Sequence, residues 1–282
     1  MDSAPRSLET LVAKAPAGPV VVLTGAGISA ESGIPTFRGP EGFWTVGSRE
    51  YAPQEIATRL FFQDHPEEVW AWYLYRRNLC AAAEPNAAHH ALVELEESLQ
   101  DRFALVTQNV DGLHRRAGSS PERTLEIHGN LHWMRCASSC GPDLWPVPLS
   151  FQPCGRSDRL GAREREALRC QRCGGWARPH VLWFDEIYDE TLYRRALETA
   201  RRAAFLLVIG TSGATSLPLR MGEIAADRRI PILDLNLEPN PFAAWAAEHG
   251  LHLPAAAAAS LPGLVQRLLA TLPPGPPRQP LT

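Results

Sequence analysis

With 28 Lys+Arg against 31 Asp+Glu, the 282-residue chain has a net charge of −3, and no basic field points to nucleic acid as a partner. A hydrophobic share of 45% suffices for a substantial core in one or two domains, and no apolar run approaches membrane-spanning length, so no membrane association is expected. Met1 to Pro19 lacks the charged-then-apolar layout of a signal peptide, and the expected location is cytoplasmic.

The first predicted element is Val20-Val21-Val22-Leu23, a continuous apolar run that reads as a strand buried on both faces. Gly25-Ala26-Gly27 follows at once, the opening of a nucleotide-binding βα unit in which glycines let the backbone turn sharply and approach a phosphate. Gly33 comes too late for the G-x-G-x-x-G fingerprint of ordinary dehydrogenases, and Pro35, Phe37 and Arg38 stand where a plain crossover would continue its helix. Further strands are predicted at Phe103–Thr107, Leu125–Ile127, Val181–Phe184, Phe205–Ile209 and Ile230–Asn236, separated by helix-like segments. This pattern predicts an α/β fold, a Rossmann-like parallel sheet covered on both faces, with a smaller inserted helical and zinc-binding domain. Polar motifs cluster at strand carboxyl ends, at Gly25, Gln108, His128, Gly210 and Asn236, where open α/β sheets bind ligands.

Two insertions interrupt the sheet pattern, giving Rossmann-like parts at 1–40, 86–130 and 178–272, a helical insertion at 41–85 and a zinc-binding insertion at 131–177. The proline-rich stretch 273–282 is expected to be a disordered tail. Within the first insertion, Pro66 to Arg77 reads as a proline-started, aromatic-rich helix. The second holds Cys136-x3-Cys140 and Cys170-x2-Cys173, two thiolate pairs that can place four sulfurs around one zinc ion. Four sulfurs leave no open position, so the metal is expected to be structural. Cys154 lies between the pairs without a close partner, and Cys80 reads as a small core residue. His128 stands out among nine histidines because it follows a short strand and has Gly129 beside it, which leaves space for a ligand. His114 and His132 lack comparable support, and His89-His90 reads as a helix N-terminus.

Gly25 to Gly39, Thr107 to His114, Glu126-Ile127-His128-Gly129, and Gly210-Thr211-Ser212 with Asn236-Leu237-Glu238 occur in an order that resembles the sirtuins, the NAD-dependent protein lysine deacylases. The resemblance covers roughly residues 18 to 272 and implies NAD as a consumed co-substrate, one structural Zn2+ and acylated-lysine proteins as partners; a monomer is expected. It makes His128 the general base, a task that imidazole suits because its ordinary pKa lies near neutrality. It places Asn109 and Asp111 around the nicotinamide carboxamide with Gln108 on the ribose side, Asp111 being equally able to cap the helix that follows. On the same resemblance Gly25, Ala26 and Gly27 form the phosphate loop, Ser29 and Arg38 are further cofactor and loop-positioning residues, and Phe37 shields the reacting ribose carbon. Gly210, Thr211, Ser212, Asn236 and Glu238 fall on the adenosine side, with Ala257 against the adenine. Val181 and Trp183 would flank the acyl-lysine stem, the substrate peptide adding as an extra strand. Tyr73 and Arg76, at i and i+3 on one helical face, resemble the pair that holds the distal carboxylate of succinyl- or malonyl-lysine in one sirtuin branch, and Ala57 matches the small residue beside it. The implied activity is removal of succinyl and malonyl groups, with acetyl as a further substrate the same pocket need not exclude, and release of nicotinamide and O-acyl-ADP-ribose. An NAD glycohydrolase or ADP-ribosyltransferase would share the first step without needing acyl-lysine. A hydride-transferring dehydrogenase and a non-enzymatic acyl-lysine reader are disfavoured by the late third glycine and by the presence of His128, Asn109 and Asp111.

Overall fold

The computed structural model describes residues 7–15, 18–36, 52–148 and 159–272, so Phe37, Arg38, Cys154 and the stretch 273–282 lie outside the described residues. A parallel sheet of six strands has the order β3-β2-β1-β7-β8-β9. Its members are β1 (Val20–Thr24), β2 (Phe103–Thr107), β3 (Thr124–Glu126), β7 (Phe205–Ile209), β8 (Ile232–Leu235) and β9 (Gly250–Leu253). A second sheet, antiparallel in the order β5-β4-β6, is built from β4 (Gly129–Cys136), β5 (Leu144–Pro146) and β6 (Ala177–Val181).

The apolar run in β1 is explained by cover on both faces. Val20 and Val22 pack into one core with Leu95, Leu261 and Val265, from α1 (Leu8–Lys14), α5 (Ala87–Leu99) and α11 (Ala257–Thr271) or their neighbours. Val21 and Leu23 point the other way, into a core with Ala196, Met221 and Phe242 of α8 (Glu190–Arg202), α9 (Ser216–Asp227) and α10 (Pro241–His249). Alternate side chains from Val20 to Leu23 therefore enter different cores, and the strand's one polar residue, Thr24 at its end, is buried with its hydroxyl 3.0 Å from His114 Nε2.

A third core lies in the smaller layer, where Trp70, Trp72 and Leu74 meet Leu131, Met134 and Trp183. It is formed by α2 (Pro53–Ile56), α3 (Arg59–Asp64), α4 (Pro66–Ala82) and the antiparallel sheet, with α6 (Leu113–Ala117) and α7 (Ala162–Ala167) at its margins. Pro66 and two first-turn acids, Glu67 and Glu68, start α4 as its sequence predicts. The Trp70 indole donates to the Ala177 carbonyl at 2.8 Å, tying α4 to β6.

Two sequence expectations need correction. The predicted strand Val181–Phe184 ends at Val181, and its main body lies earlier, as β6 in the antiparallel sheet. Beyond Val181 the amides turn inward: Leu182 N donates to His128 O, Trp183 N to Glu186 Oε2 and Phe184 N to Ala57 O, so no ladder is left for them to extend. β9 carries no strong apolar run and was not expected. Its pairing rests on Gly250, where a Cβ would fall 1.7 Å from the Ile232 carbonyl.

Candidate active site

The chain leaves β1 for β2 on one side and later returns to β7 on the other, so the carboxyl ends of β1 and β7 frame a switch point of the sheet. Gly27 N donates to Gly210 O at 2.8 Å and Gly25 N to Ile209 O at 3.0 Å. A Cβ on Gly25 would lie 2.7 Å from the Gly210 carbonyl oxygen, and one on Gly27 2.6 Å from Gly210 Cα. Close packing of two loops thus demands these glycines, in addition to any approach to a phosphate. The segment after them is a seven-residue 3-10 helix, Ala26–Ser32, closed by Gly33 at φ 83°, rather than a long crossover helix.

The loops open onto a cavity of about 690 Å3, large enough for a dinucleotide and part of a second substrate. Its nucleotide end is lined by Gly25, Ala26, Gly27, Gly210, Thr211 and Ser212, and farther out by Asn236, Glu238 and Ala257. Gln108 joins the two halves: its Nε2 donates to Thr211 Oγ1 at 2.8 Å and its Oε1 accepts from Thr215 Oγ1 at 3.0 Å. Asn109 also lines the cavity, its Nδ2 donating to Gly25 O at 3.1 Å and Ser29 Oγ at 3.2 Å. Ser29 and Asp111 stand one layer behind. Ser29 Oγ donates to Asp111 Oδ2 and Leu113 N donates to Asp111 Oδ1, both at 2.8 Å, so Asp111 supports the Asn109 layer and caps α6 together. Burial raises the Asp111 carboxyl above its usual range, and these donors oppose the rise.

Sequence reading gave no role to Asp234, which holds Asn236, or to Asn240 and His252 on the same carboxylate. Asp234, fully buried on β8, accepts from His252 Nδ1 at 2.7 Å, from Asn240 Nδ2 at 3.0 Å and from Asn236 Nδ2. Its amide nitrogen committed to Asp234, Asn236 is held at the cavity wall. The sequence signal was present only as an acid inside an apolar strand, which is costly without donors.

At the centre lies His128. Its Nδ1 is 3.1 Å from the Gln108 carbonyl and its Nε2 3.1 Å from the Tyr188 hydroxyl. Burial pushes its pKa down to about 4, with the Gln108 carbonyl acting the other way. The neighbouring Gly129, at φ 83°, does not make room for a ligand: a Cβ there would lie 2.1 Å from the His180 carbonyl, so glycine lets β4 and β6 pair closely beneath the histidine. His89 and His114 are buried against each other, ring centroids 4.9 Å apart, behind Ser29. His132 Nε2 contacts the Asp111 carbonyl at 3.0 Å.

The far wall is made by Ala57, Tyr73, Arg76, Val181 and Trp183. Tyr73 and Arg76 are 4% and 5% exposed, so the arginine is not the solvated residue that its helix position alone would suggest. Its guanidinium carbon lies 4.7 Å from the Trp72 ring centroid and 5.6 Å from that of Tyr73. Burial pulls the arginine down from its ordinary value and pushes the Tyr73 phenol up. Trp183 Nε1 donates to the Tyr73 hydroxyl at 3.0 Å, while the Arg178 guanidinium carbon lies over the indole, 3.5 Å from its centroid. Arg178 also forks onto both oxygens of Glu186 and donates to the Val181 carbonyl. Burial acts to raise the Glu186 carboxyl, but Arg178 outweighs it and leaves the group below its usual range. The N–H groups of 182–184 are already engaged within the chain.

Away from the cavity, the four cysteines converge. Their sulfurs all lie within 4.8 Å of one another, with Cys136–Cys173 at 3.6 Å and Cys140–Cys170 at 3.5 Å. Zn–S bonds of about 2.3 Å in a tetrahedron require sulfurs about 3.8 Å apart, so the set fits one zinc ion held as thiolates, with no open coordination position.

The profile of the Sir2 family matches residues 25–216. Curated relatives described as "NAD-dependent protein deacylase" include one from Leptospira interrogans, 38% identical over 253 residues, covering 89% of this chain and 93% of the relative. One from Thermus thermophilus is 40% identical over 260 residues, covering 91% and 90%. One from Aeropyrum pernix is 43% identical over 228 residues, covering 79% and 82%. Among solved structures, a Sir2 homologue–NAD complex superposes with a TM-score of 0.75 at 34% identity, covering 93% of this chain and 92% of that one. A Sir2–p53 peptide–NAD+ complex superposes at 0.70 and 27% identity, covering 92% and 95%.

Proposed function

The chain belongs to the Sir2 family, and we propose that it is an NAD-dependent protein lysine deacylase favouring acyl groups that end in a carboxylate, succinyl and malonyl above acetyl. The observation that carries the acyl preference is the Tyr73–Arg76 face buried in the cavity wall. A buried guanidinium is stabilised by an anion brought to it, and the planar fork of arginine matches a carboxylate with two parallel hydrogen bonds. The Tyr73 oxygen already accepts from Trp183, which leaves the phenol O–H as a donor to the same carboxylate. Ala57, Val181 and Trp183 line the same cavity as the pair and supply apolar surface suited to a lysine stem.

NAD is a substrate in this reading, and its bond from ribose to nicotinamide breaks as the acyl oxygen bonds to the ribose carbon. The glycine loops and Asn109 fix the ribose, and the proximity so gained replaces a bimolecular encounter. His128 takes the proton of a ribose hydroxyl at Nε2 so that the hydroxyl oxygen can bond to the acyl carbon. Water completes the release of lysine and O-acyl-ADP-ribose. Support comes from the relatives named as deacylases and from a neighbouring Sir2 homologue structure with 2'-O-acetyl ADP ribose, TM-score 0.75 at 34% identity.

The test is nicotinamide release from NAD with one peptide carrying succinyl-, malonyl-, acetyl- or unmodified lysine, for wild type and Arg76→Met. Release that requires acyl-lysine, favours the acidic acyl groups and loses that preference in Arg76→Met is the expected result. Equal rates on acetyl-lysine in both proteins would end the acyl preference and leave a deacylase. Release indifferent to the peptide would make the protein an NAD glycohydrolase.

A further inference from the structure

Tyr188 belongs to no motif read from the sequence, yet its hydroxyl is 3.1 Å from Nε2 of His128. The direction of that bond follows from the other side of the ring. Nδ1 faces the Gln108 carbonyl, which can only accept, so Nδ1 carries the proton and Nε2 carries the lone pair. The phenol is therefore the donor. Two anchors hold it there. Glu186 is clamped by Arg178, and Asp189 caps α8 by accepting from Leu192 N at 2.9 Å, so the residues between are fixed at both ends. Ile187 is 91% exposed, whereas Tyr188 turns into the cavity. Its oxygen faces the Thr215 and Ser216 hydroxyls and the Leu217 amide at the start of α9, and Tyr193 of α8 faces its ring with centroids 6.0 Å apart.

We propose that Tyr188 is a positioning residue for the base: its O–H holds the Nε2 lone pair of His128, keeps that imidazole neutral and aimed into the cavity, and yields the lone pair to a ribose hydroxyl. The inference rests on the reading of His128 as general base. Its physical content is competition. A single nitrogen lone pair takes one strong hydrogen bond, so the phenol O–H, the ribose O–H and a free proton exclude one another there. Removing the phenol O–H then favours protonation of His128. Strengthening it as a donor does the reverse.

The experiment is an NMR titration of the His128 imidazole in wild type, in Tyr188→Phe, and in protein carrying 3,5-difluorotyrosine at position 188, a shape-preserving and more acidic phenol. Expected is a rise of about half a unit or more in the His128 pKa in Tyr188→Phe and a fall with the fluorinated phenol while it remains protonated. The acidic limb of kcat/KM for deacylation moves in the same direction as each titration. An unchanged His128 titration in both proteins overturns the proposal, even if either variant is less stable. His128→Ala separates this failure from failure of the underlying reading. If that variant lowers nicotinamide exchange as much as product formation, His128 is not the base and both ideas fall. If it blocks product formation selectively while Tyr188→Phe leaves the titration unmoved, only the role of Tyr188 is lost.

Discussion

The indole N–H of Trp183 donates to the phenol oxygen of Tyr73 across 3.0 Å, so Trp183 sets the orientation of Tyr73, and under the proposed function a residue beside the lysine stem would thereby orient the one proposed to meet the acyl end. Phenylalanine at 183 keeps an aromatic stack on Arg178 but loses the donor. With one neutral hydrogen bond worth about 1 kcal/mol, we expect Trp183→Phe to raise KM for succinyl-lysine peptide roughly fivefold. The acetyl-lysine KM should change less than about twofold, since that substrate makes no bond to Tyr73. Steady-state kinetics on both peptides decides. Equal losses would show that Trp183 only packs.

Asp234 supplies a prediction on the opposite side of the cavity. Its carboxylate fixes Asn236, Asn240 and His252 from a fully buried position. Asp234→Ala frees the Asn236 amide to rotate and leaves buried donors without acceptors. An expected cost of about 1–3 kcal/mol in stability follows, along with a rise in KM for NAD of about fivefold or more. KM for the acylated peptide should hold steady. A thermal melt and two KM determinations test this, and equal changes in both KM values would refute the positioning role.

These two residues also mark what could be read from the chain. The parallel sheet was legible because Val20–Leu23 of β1 and all of β7 are apolar, the pattern of strands covered on both faces. The cysteine cluster was legible from spacing, and the nucleotide end from Gly25, Gln108 and Gly210 standing at strand ends. Hidden were residues that act through contacts no motif marks: Glu186 under Arg178, Asp234 under Asn236 with His252, and Tyr188 on His128. None has a local pattern, because a clamp across layers needs no fixed spacing. Gly129 was recognised as special for the wrong reason. Its missing Cβ serves strand pairing, a relation visible only once β6 lies beside β4. The strand at 181–184 failed for a related cause, since its amides found partners in His128, Glu186 and Ala57, none of them a neighbouring strand.

Buried histidines predict the response to acid. Burial pushes His89 and His128 down to about 4 and His114 well below its ordinary value. An unfolded histidine titrates near 6.5, so between about 6.5 and about 4 the unfolded chain binds protons that the folded chain refuses. Stability contributed by keeping these rings neutral is complete above that window and is lost as the pH falls through it. The melting temperature should therefore drop steadily from pH 6.5 to 4, and His89→Gln should flatten the drop even if it lowers stability at pH 7.5. Parallel melting curves against pH for the two proteins would contradict the assignment.

The zinc module gives the last prediction. Cys136 and Cys170 are buried, whereas Cys140 and Cys173 are exposed, so a chelator can reach the metal from one side. Four thiolates close the coordination sphere, and the ion ties β4 to the turn that precedes β6 rather than to the cavity. Metal analysis should find one zinc per chain, and Cys173→Ala should lose it. Because β6 carries Arg178 and leads into Trp183, the cost should reach the acyl wall: binding of succinyl-lysine peptide weakens, while NAD binding by the six-stranded sheet persists. Calorimetric titration of each ligand into protein treated with a strong chelator measures the two separately. Loss of NAD binding in step with peptide binding would mean that the two layers do not fold independently enough for this division, and unchanged peptide binding would mean that the metal plays no part in holding the wall.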